Sequence, residues 1–166
     1  MWRRCAAFLT RVSMAKAEVL RRFTEEESSE ALWLEMWDEL SAGTALEVHG
    51  VELVSVDDDT IVLSMPMGPH ALQPFGLLHG GVSMLLGESA ASMHAGWKVD
   101  VRERVPVGIE ISGSHMRSAT EGMILVRGRV LRRSRMLIHH EVVIEQAESG
   151  KTLSVIRVTN LYKQLG

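Results

Sequence analysis

Apolar and polar positions change period along this chain. Between residues 14 and 41 the spacing is helical. Met14 to Phe23 is rich in helix formers, and Trp33, Met36, Trp37 and Leu40 share one face of a second helix. Thr24 or Ser28 supplies its cap, Glu25, Glu26, Glu27 and Glu30 suit the first turn as a solvated face, and Gly43 ends it. Beyond Gly43 the pattern alternates. Residues 46–56 predict a strand whose phase switches between Leu53 and Val54, as a β-bulge requires. Asp57-Asp58-Asp59 is a polar turn, and Ile61, Leu63, Met65 and Met67 predict the second strand of a hairpin. Further strands are expected over roughly 105–117, 122–132, 136–147 and 152–162, forming a meander with turns at Gly122 and at residues 148–151.

The segment between these two strand groups is distinctive. From Thr60 to Trp97 there is no Lys, Arg or Asp, and Glu88 is its one Glu. Within it, Gly80 to Ala95 predicts a helix of about four and a half turns, rich in small residues and nearly apolar on every side. Such a helix is expected to be buried all round. With strands before and after it, the implied class is α+β, an antiparallel sheet wrapped around a central buried helix. Gly87, Ala90 and Ala91 would let the sheet, or a second subunit, approach closely. Residues 1–41 form an N-terminal helical extension, and residues 42–166 the main domain.

Composition narrows the function. The 166 residues are 46% hydrophobic, enough for one ordinary core, and 18 basic against 21 acidic side chains leave a net charge of −3. That balance removes the electrostatic reason to expect a nucleic-acid partner. A single cysteine, Cys5, excludes an intrachain disulfide and a cysteine-built metal site. The histidines are scattered, and His139 and His140, on opposite faces of a strand, are expected at the surface or an interface, so no metal site is expected. No apolar run is long enough to span a membrane. Arg3, Arg4, Arg11 and Lys16 precede the first acid, Glu18, but the apolar stretch after Arg4 is too short for a secretory signal. A cytoplasmic protein with a loosely ordered amino end, or one starting at Met14, is the expectation.

The candidate chemistry centres on Glu88. A lone carboxylate on a buried apolar helix is costly unless paired, so it either meets an arginine or a solvent channel, or it is a catalytic group. Ser92 lies one turn on, about 6 Å along the axis, where a hydroxyl can hold a water or orient the carboxylate. Upstream, His79-Gly80-Gly81 marks the entry to the helix, where first-turn amides are ready donors to an oxyanion. His79 is a helix-entry packing residue or an acid–base group, and Gln73 could donate to a carbonyl. Gly80 and Glu88 stand about 12 Å apart on one helix. One carbonyl carbon cannot touch both groups of the same chain. If they act on one bond, the site is composite, shared between two subunits of a homodimer.

The segment Gln73-Pro-Phe75-Gly-Leu-Leu-His79-Gly80-Gly81, followed by Gly87-Glu88-Ser89-Ala90-Ala91-Ser92, resembles the hotdog-fold acyl-CoA thioesterases. The similarity is to the PaaI-like branch, which includes 4-hydroxybenzoyl-CoA thioesterases of the Arthrobacter type and 1,4-dihydroxy-2-naphthoyl-CoA hydrolases. Gly108-Ile-Glu-Ile-Ser-Gly-Ser-His115-Met-Arg117-Ser118-Ala strengthens it, and it covers roughly residues 42–162. The resemblance implies a hotdog fold paired into homodimers and then homotetramers, and hydrolysis of an acyl-CoA with an aromatic or medium-chain acyl group. It implies Glu88 as nucleophile or general base, the Gly80 N–H polarising the thioester carbonyl with help from Gln73, and Ser92 and His79 at the motif's hydroxyl and histidine positions. Gly81, His115, Arg117 and Ser118 would contact the coenzyme A portion of the substrate, and no separate cofactor is implied.

The chain departs from the pattern at Ser112 and Ser114, where relatives carry asparagines, and at Arg132-Arg133-Ser134-Arg135, where a His-x-Gly stretch is usual. Arg133 and Arg135 could clamp coenzyme A phosphates or lie on a solvated turn. Phe75, Leu78, Met84, Met93 and Trp97 are expected to line an apolar acyl pocket. Two rivals remain: a hydratase or dehydratase on the same fold, using His79 with Glu88, and a non-catalytic acyl-CoA sensor.

Overall fold

A computed structural model describes Val19, Arg22 and residues 28–165. The expected helix over 14–23 otherwise lies outside the described residues. Helix α1 spans Glu30–Ser41 and is capped by Ser29, whose Oγ accepts from the Leu32 N–H at 3.2 Å. Neither Thr24 nor Ser28 serves. Ser28 is buried, and its Oγ accepts instead from Trp33 Nε1 at 3.1 Å and the Lys98 N–H at 3.4 Å. The face predicted by spacing does turn inward: Trp33, Met36 and Trp37 are buried, Trp37 Nε1 donates to Val51 O at 2.8 Å, and Trp33 meets Trp97 edge to face.

The expected strand over 46–56 begins only at Glu52. Ahead of it, a one-turn helix α2 spans Ala45–Val48. Thr44 caps it, and Glu47 reaches back to the Gly43 N–H at 2.6 Å. Thr44-x-x-Glu47 is a capping-box pattern, and it outweighs the local alternation. Strand β1 (Glu52–Val56) then pairs with β2 (Thr60–Pro66), with the register shift falling between Leu53 and Ser55. Val54 is the expected bulge. A 3₁₀ turn, Pro69–Ala71, leads to the central helix α3, Gly80–Ala95.

Four strands follow: β3 (Arg104–His115), β4 (Met123–Arg133), β5 (Leu137–Gln146) and β6 (Lys151–Gln164). All six form one antiparallel sheet in the order β1-β2-β4-β5-β6-β3. This corrects the expected meander: β4, β5 and β6 are successive hairpins, but β3 lies at the far edge beside β6. The sheet curls around α3, which packs on β2 through β6, while α1 covers β1. Inward residues such as Ile61, Leu63, Ile124, Val142, Ile144 and Ile156 are fully buried, each contributing about 1.5–3 kcal/mol.

Helix α3 is not buried on every side within the protomer. Its covered face carries Ser83, Leu86, Gly87, Ala90, Ala91, His94 and Ala95. Gly87 meets the chain's own sheet, since a Cβ there would lie 2.7 Å from Ile156 Cδ1. The opposite strip, Gly81, Met84, Leu85, Glu88, Ser89 and Ser92, is half-buried or exposed. It lies beside β3, an edge strand whose Val107 and Ile109 are exposed.

The buried end of α3 holds a polar relay. His94 Nε2 bonds to Asp57 O at 2.8 Å, and His94 Nδ1 lies 2.9 Å from His140 Nε2. His140 is thus fully buried, not at a surface or interface. Opposite orientation along β5 does hold: His139 is half-buried and bonds Thr159. His140 faces the core because that alternation carries it inward beside Ile138 and Val142.

Candidate active site

The loop before α3 is organised by its own backbone. The Gln73 N–H donates to Leu77 O at 2.8 Å, and the Gly76 N–H donates to Gln73 O. The side-chain Oε1 of Gln73 accepts from the Phe75 N–H, and its NH₂ group has no acceptor among the described residues. Phe75 itself, 88% exposed, projects from this turn and lines neither groove described below.

His79 is the N-cap of α3. Its Nδ1 accepts from the Gly81 N–H at 2.8 Å, and its carbonyl accepts from the N–H groups of Val82 and Ser83. Those bonds use up the first-turn donors one by one and leave the Gly80 N–H without an acceptor among the described residues. A first-turn amide on a helix N-terminus is a donor suited to a developing oxyanion. The His115 ring lies over it, with Nε2 2.8 Å from where a Cβ on Gly80 would be. Ser154 Oγ holds that ring from behind, 2.8 Å from Nδ1.

Gly80, Gln73, His115, Arg117 and Ser118 line one open groove of about 460 Å³, with Leu78 on its apolar wall. Arg117 is tethered at its mouth by Nη1 donating to Thr152 O at 3.0 Å. Its remaining N–H groups have no partner among the described residues.

Glu88 and Ser92 line a second groove of about 520 Å³, together with Gly81, Met84, Leu85, Ser89 and Ile111. Glu88 is exposed, not sunk in apolar surroundings as the composition of the helix suggested. It has no ion-pair partner among the described residues. Its seat is glycine-shaped: a Cβ on Gly108 would stand 2.6 Å from Glu88 Oε1. The β3 register also shifts beside Gly108, between Gly108 and Glu110, so the strand bends where the carboxylate rests. Gly108→Ala should therefore displace the Glu88 carboxylate by about 1 Å. A crystal structure of the variant checks this, and an unmoved carboxylate would refute the seating role.

One protomer thus brings Gln73, Gly80, His115, Arg117 and Ser118 together, and separately Gly81, Glu88 and Ser92, but it does not join the two sets. Arg133 and Arg135 reach neither groove. They sit at the β4–β5 turn, where Arg104 Nη1 donates to Arg135 O and the Arg133 charge acts on His94 and His140. Trp97, expected in an acyl pocket, is buried against Trp33, and its Nε1 donates to Asp58 at 2.8 Å. Met93 packs on the core, and only Leu78 and Met84 of the expected pocket reach a groove.

Two functional neighbours escaped the sequence: Ser154, which holds His115, and Asn160, whose Nδ2 donates to Ser92 Oγ at 2.8 Å. Both interrupt the inward apolar alternation of β6, a signal the pattern does contain. Among the described residues, no three His, Cys, Asp or Glu side chains converge as metal ligands, and no helix is long and apolar enough to cross a membrane.

Comparison with known proteins bears on this arrangement. Residues 75–153 match the model of the Thioesterase superfamily. The chain is 33% identical over 118 residues to a 1,4-dihydroxy-2-naphthoyl-CoA hydrolase of Listeria monocytogenes, covering 71% of this chain and 94% of that one. It is 41% identical over 91 residues to a proofreading thioesterase of Cronobacter turicensis, covering 55% of this chain and 66% of the other. Among solved structures, a mutant thioesterase of Pseudomonas aeruginosa superposes with a TM-score of 0.76 at 28% identity, covering 80% of this chain and 94% of that one. With a helix wrapped by a six-stranded antiparallel sheet and relatives of this kind, the chain belongs to the hotdog thioesterase superfamily and is a thioester hydrolase.

Proposed function

We propose that the substrate is an acyl-CoA with an aromatic or medium-chain acyl group, hydrolysed at a site completed by a second copy of the chain. The observation that carries this is the division of the chemistry between two grooves of one protomer. The Gly80 N–H lines one and the Glu88 carboxylate the other, about 12 Å apart along the helix. The uncovered strip of α3 and the open edge of β3 support a two-fold partner, because an exposed edge strand with apolar side chains favours pairing. An antiparallel neighbour along that strip brings each Glu88 toward the other chain's Gly80. Such dimers would pair again into tetramers.

In the reaction the thioester oxygen accepts from the Gly80 N–H and the Gln73 amide. Glu88 of the second copy takes a proton from the water that attacks the carbonyl carbon, or attacks that carbon itself to give an acyl-glutamyl anhydride, which water then hydrolyses to release the acid and restore the carboxylate. The tetrahedral intermediate collapses with cleavage of the C–S bond, the thiolate of coenzyme A takes up a proton, and water ends in the carboxylic acid. An oriented oxyanion donor is worth roughly 3–4 kcal/mol in the transition state. The Arg117 guanidinium at the groove mouth suits a phosphate of coenzyme A. Arg133 and Arg135 would act there only from the second copy.

The hydratase alternative is disfavoured by His79, whose Nδ1 is spent on capping the Gly81 N–H. Release of free thiol, followed with a thiol reagent across benzoyl-, branched and linear acyl-CoA esters, tests the proposal. Turnover is expected with aromatic or medium-chain esters. Binding without thiol release would make the chain a sensor and overturn it.

A further inference from the structure

Strand β6 turns one face to α3, and its inward positions run Ser154, Ile156, Val158, Asn160, Tyr162. Ser154 and Asn160 each bond to one half of the site, Ser154 to His115 and Asn160 to Ser92, both at 2.8 Å. The six strand steps from Ser154 to Asn160 cover about 20 Å, and the twelve helical steps from Gly80 to Ser92 about 18 Å. One strand therefore backs both half-sites at matching separation.

Asn160 is fully buried, and its Oδ1 has no partner among the described residues. An unsatisfied buried acceptor is destabilising, a penalty that an apolar residue on this otherwise apolar stripe would avoid. The useful half of the amide is its N–H. A serine hydroxyl can both donate and accept, and its proton rotates to suit its surroundings.

We propose that Asn160 is a positioning residue for the reaction. By donating Nδ2–H to Ser92 Oγ, it occupies one of the hydroxyl's two lone pairs from the sheet side and turns the Ser92 O–H toward the Glu88 groove as a donor. The three groups share a small volume: a Cβ on Gly108 would lie 2.6 Å from Glu88 Oε1 and 3.8 Å from Asn160 Nδ2. The Ser92 proton then holds the carboxylate, or the water it activates, in register. This assignment rests on the catalytic role proposed for Glu88, and its test separates the two.

The experiment is a double-mutant cycle of Asn160→Ala and Ser92→Ala, with kcat and KM measured on the acyl-CoA of the panel that turns over fastest. Asn160→Ala should lower kcat about tenfold, the value of one directed hydrogen bond, with KM unchanged. It should cost nothing further once Ser92 is replaced. Asn160→Asp, which keeps shape but only accepts when ionised, should lose at least as much. Asn160→Thr, whose hydroxyl can donate, should retain most activity, and these two carry the test if the alanine variant does not fold. Equal losses from Asn160→Ala with and without Ser92, or wild-type kcat in Asn160→Asp, would overturn the positioning role alone. A wild-type protein that releases no thiol from any ester would overturn the catalytic role of Glu88 as well.

Discussion

Glu88→Gln is expected to lower kcat by about 10²–10⁴-fold, because it keeps the side chain's shape while removing the only carboxylate among the described residues of its groove. The fold should be unaffected, since Glu88 is exposed and makes no ion pair among the described residues. Gly80→Ala should also be inactive, for a different reason: its Cβ would stand 2.8 Å from His115 Nε2 and force the ring off the oxyanion donor. Mixing the two inactive variants distinguishes a shared site from a private one. In a mixed dimer both lesions fall in one site, leaving the other intact. Random exchange of subunits should restore about a quarter of wild-type activity, half the dimers being mixed and half their sites whole. No recovery after demonstrated exchange, or an active monomer, would refute the composite site.

The second large effect concerns acid stability. His94 Nε2–H donates to Asp57 O, so its Nδ1 must accept from His140 Nε2–H, and both rings are neutral in this arrangement. Burial is the main reason each resists a proton: His94 is pushed below the ordinary histidine value, and His140 is pushed down to about 3, with the His94 and Arg133 charges adding to the effect on His140. The unfolded chain protonates both rings near pH 6.5. Between that pH and about 3, it therefore binds more protons than the folded chain, and stability falls as the pH falls. In that window His140 contributes about 1.4 kcal/mol per pH unit, and nothing above it, and His94 adds to the loss as the pH drops below its unfolded value. His140→Leu should flatten the dependence of unfolding free energy on pH by about one proton, as measured by urea titration from pH 7 to 4. An unchanged slope would show that the pair does not govern acid unfolding.

These expectations divide sharply by how they could be reached. The limits Gly80–Ala95 follow from the run of small and apolar residues behind a Gly-Gly start. The six strands follow from period-two alternation, and the Val54 bulge from one switch of phase. The separation of Gly80 from Glu88, and with it the need for a second chain, is a consequence of helical rise alone. The exposure of Glu88 was not legible, because a helix apolar on all sides does not say which side its own sheet covers. The helix at Ala45–Val48 was masked by apolar alternation, although Thr44 and Glu47 spell its cap. His140 was legible as opposite to His139, but not as the buried member of the pair.

What the sequence determined by itself, then, is local: element boundaries, the chemistry carried on α3, and the distance between its two reactive ends. These depend on rise per residue, capping and the alternation of side chains, all set within a few positions. The tertiary structure decided the pairings: β3 with β6 instead of β4, His94 with His140, Ser92 with Asn160, and the Glu88 carboxylate with the bare backbone of Gly108. Alternation states which face of a strand turns inward but not which strand lies beside it. A contact between residues far apart in the chain depends on the packing of every element between them.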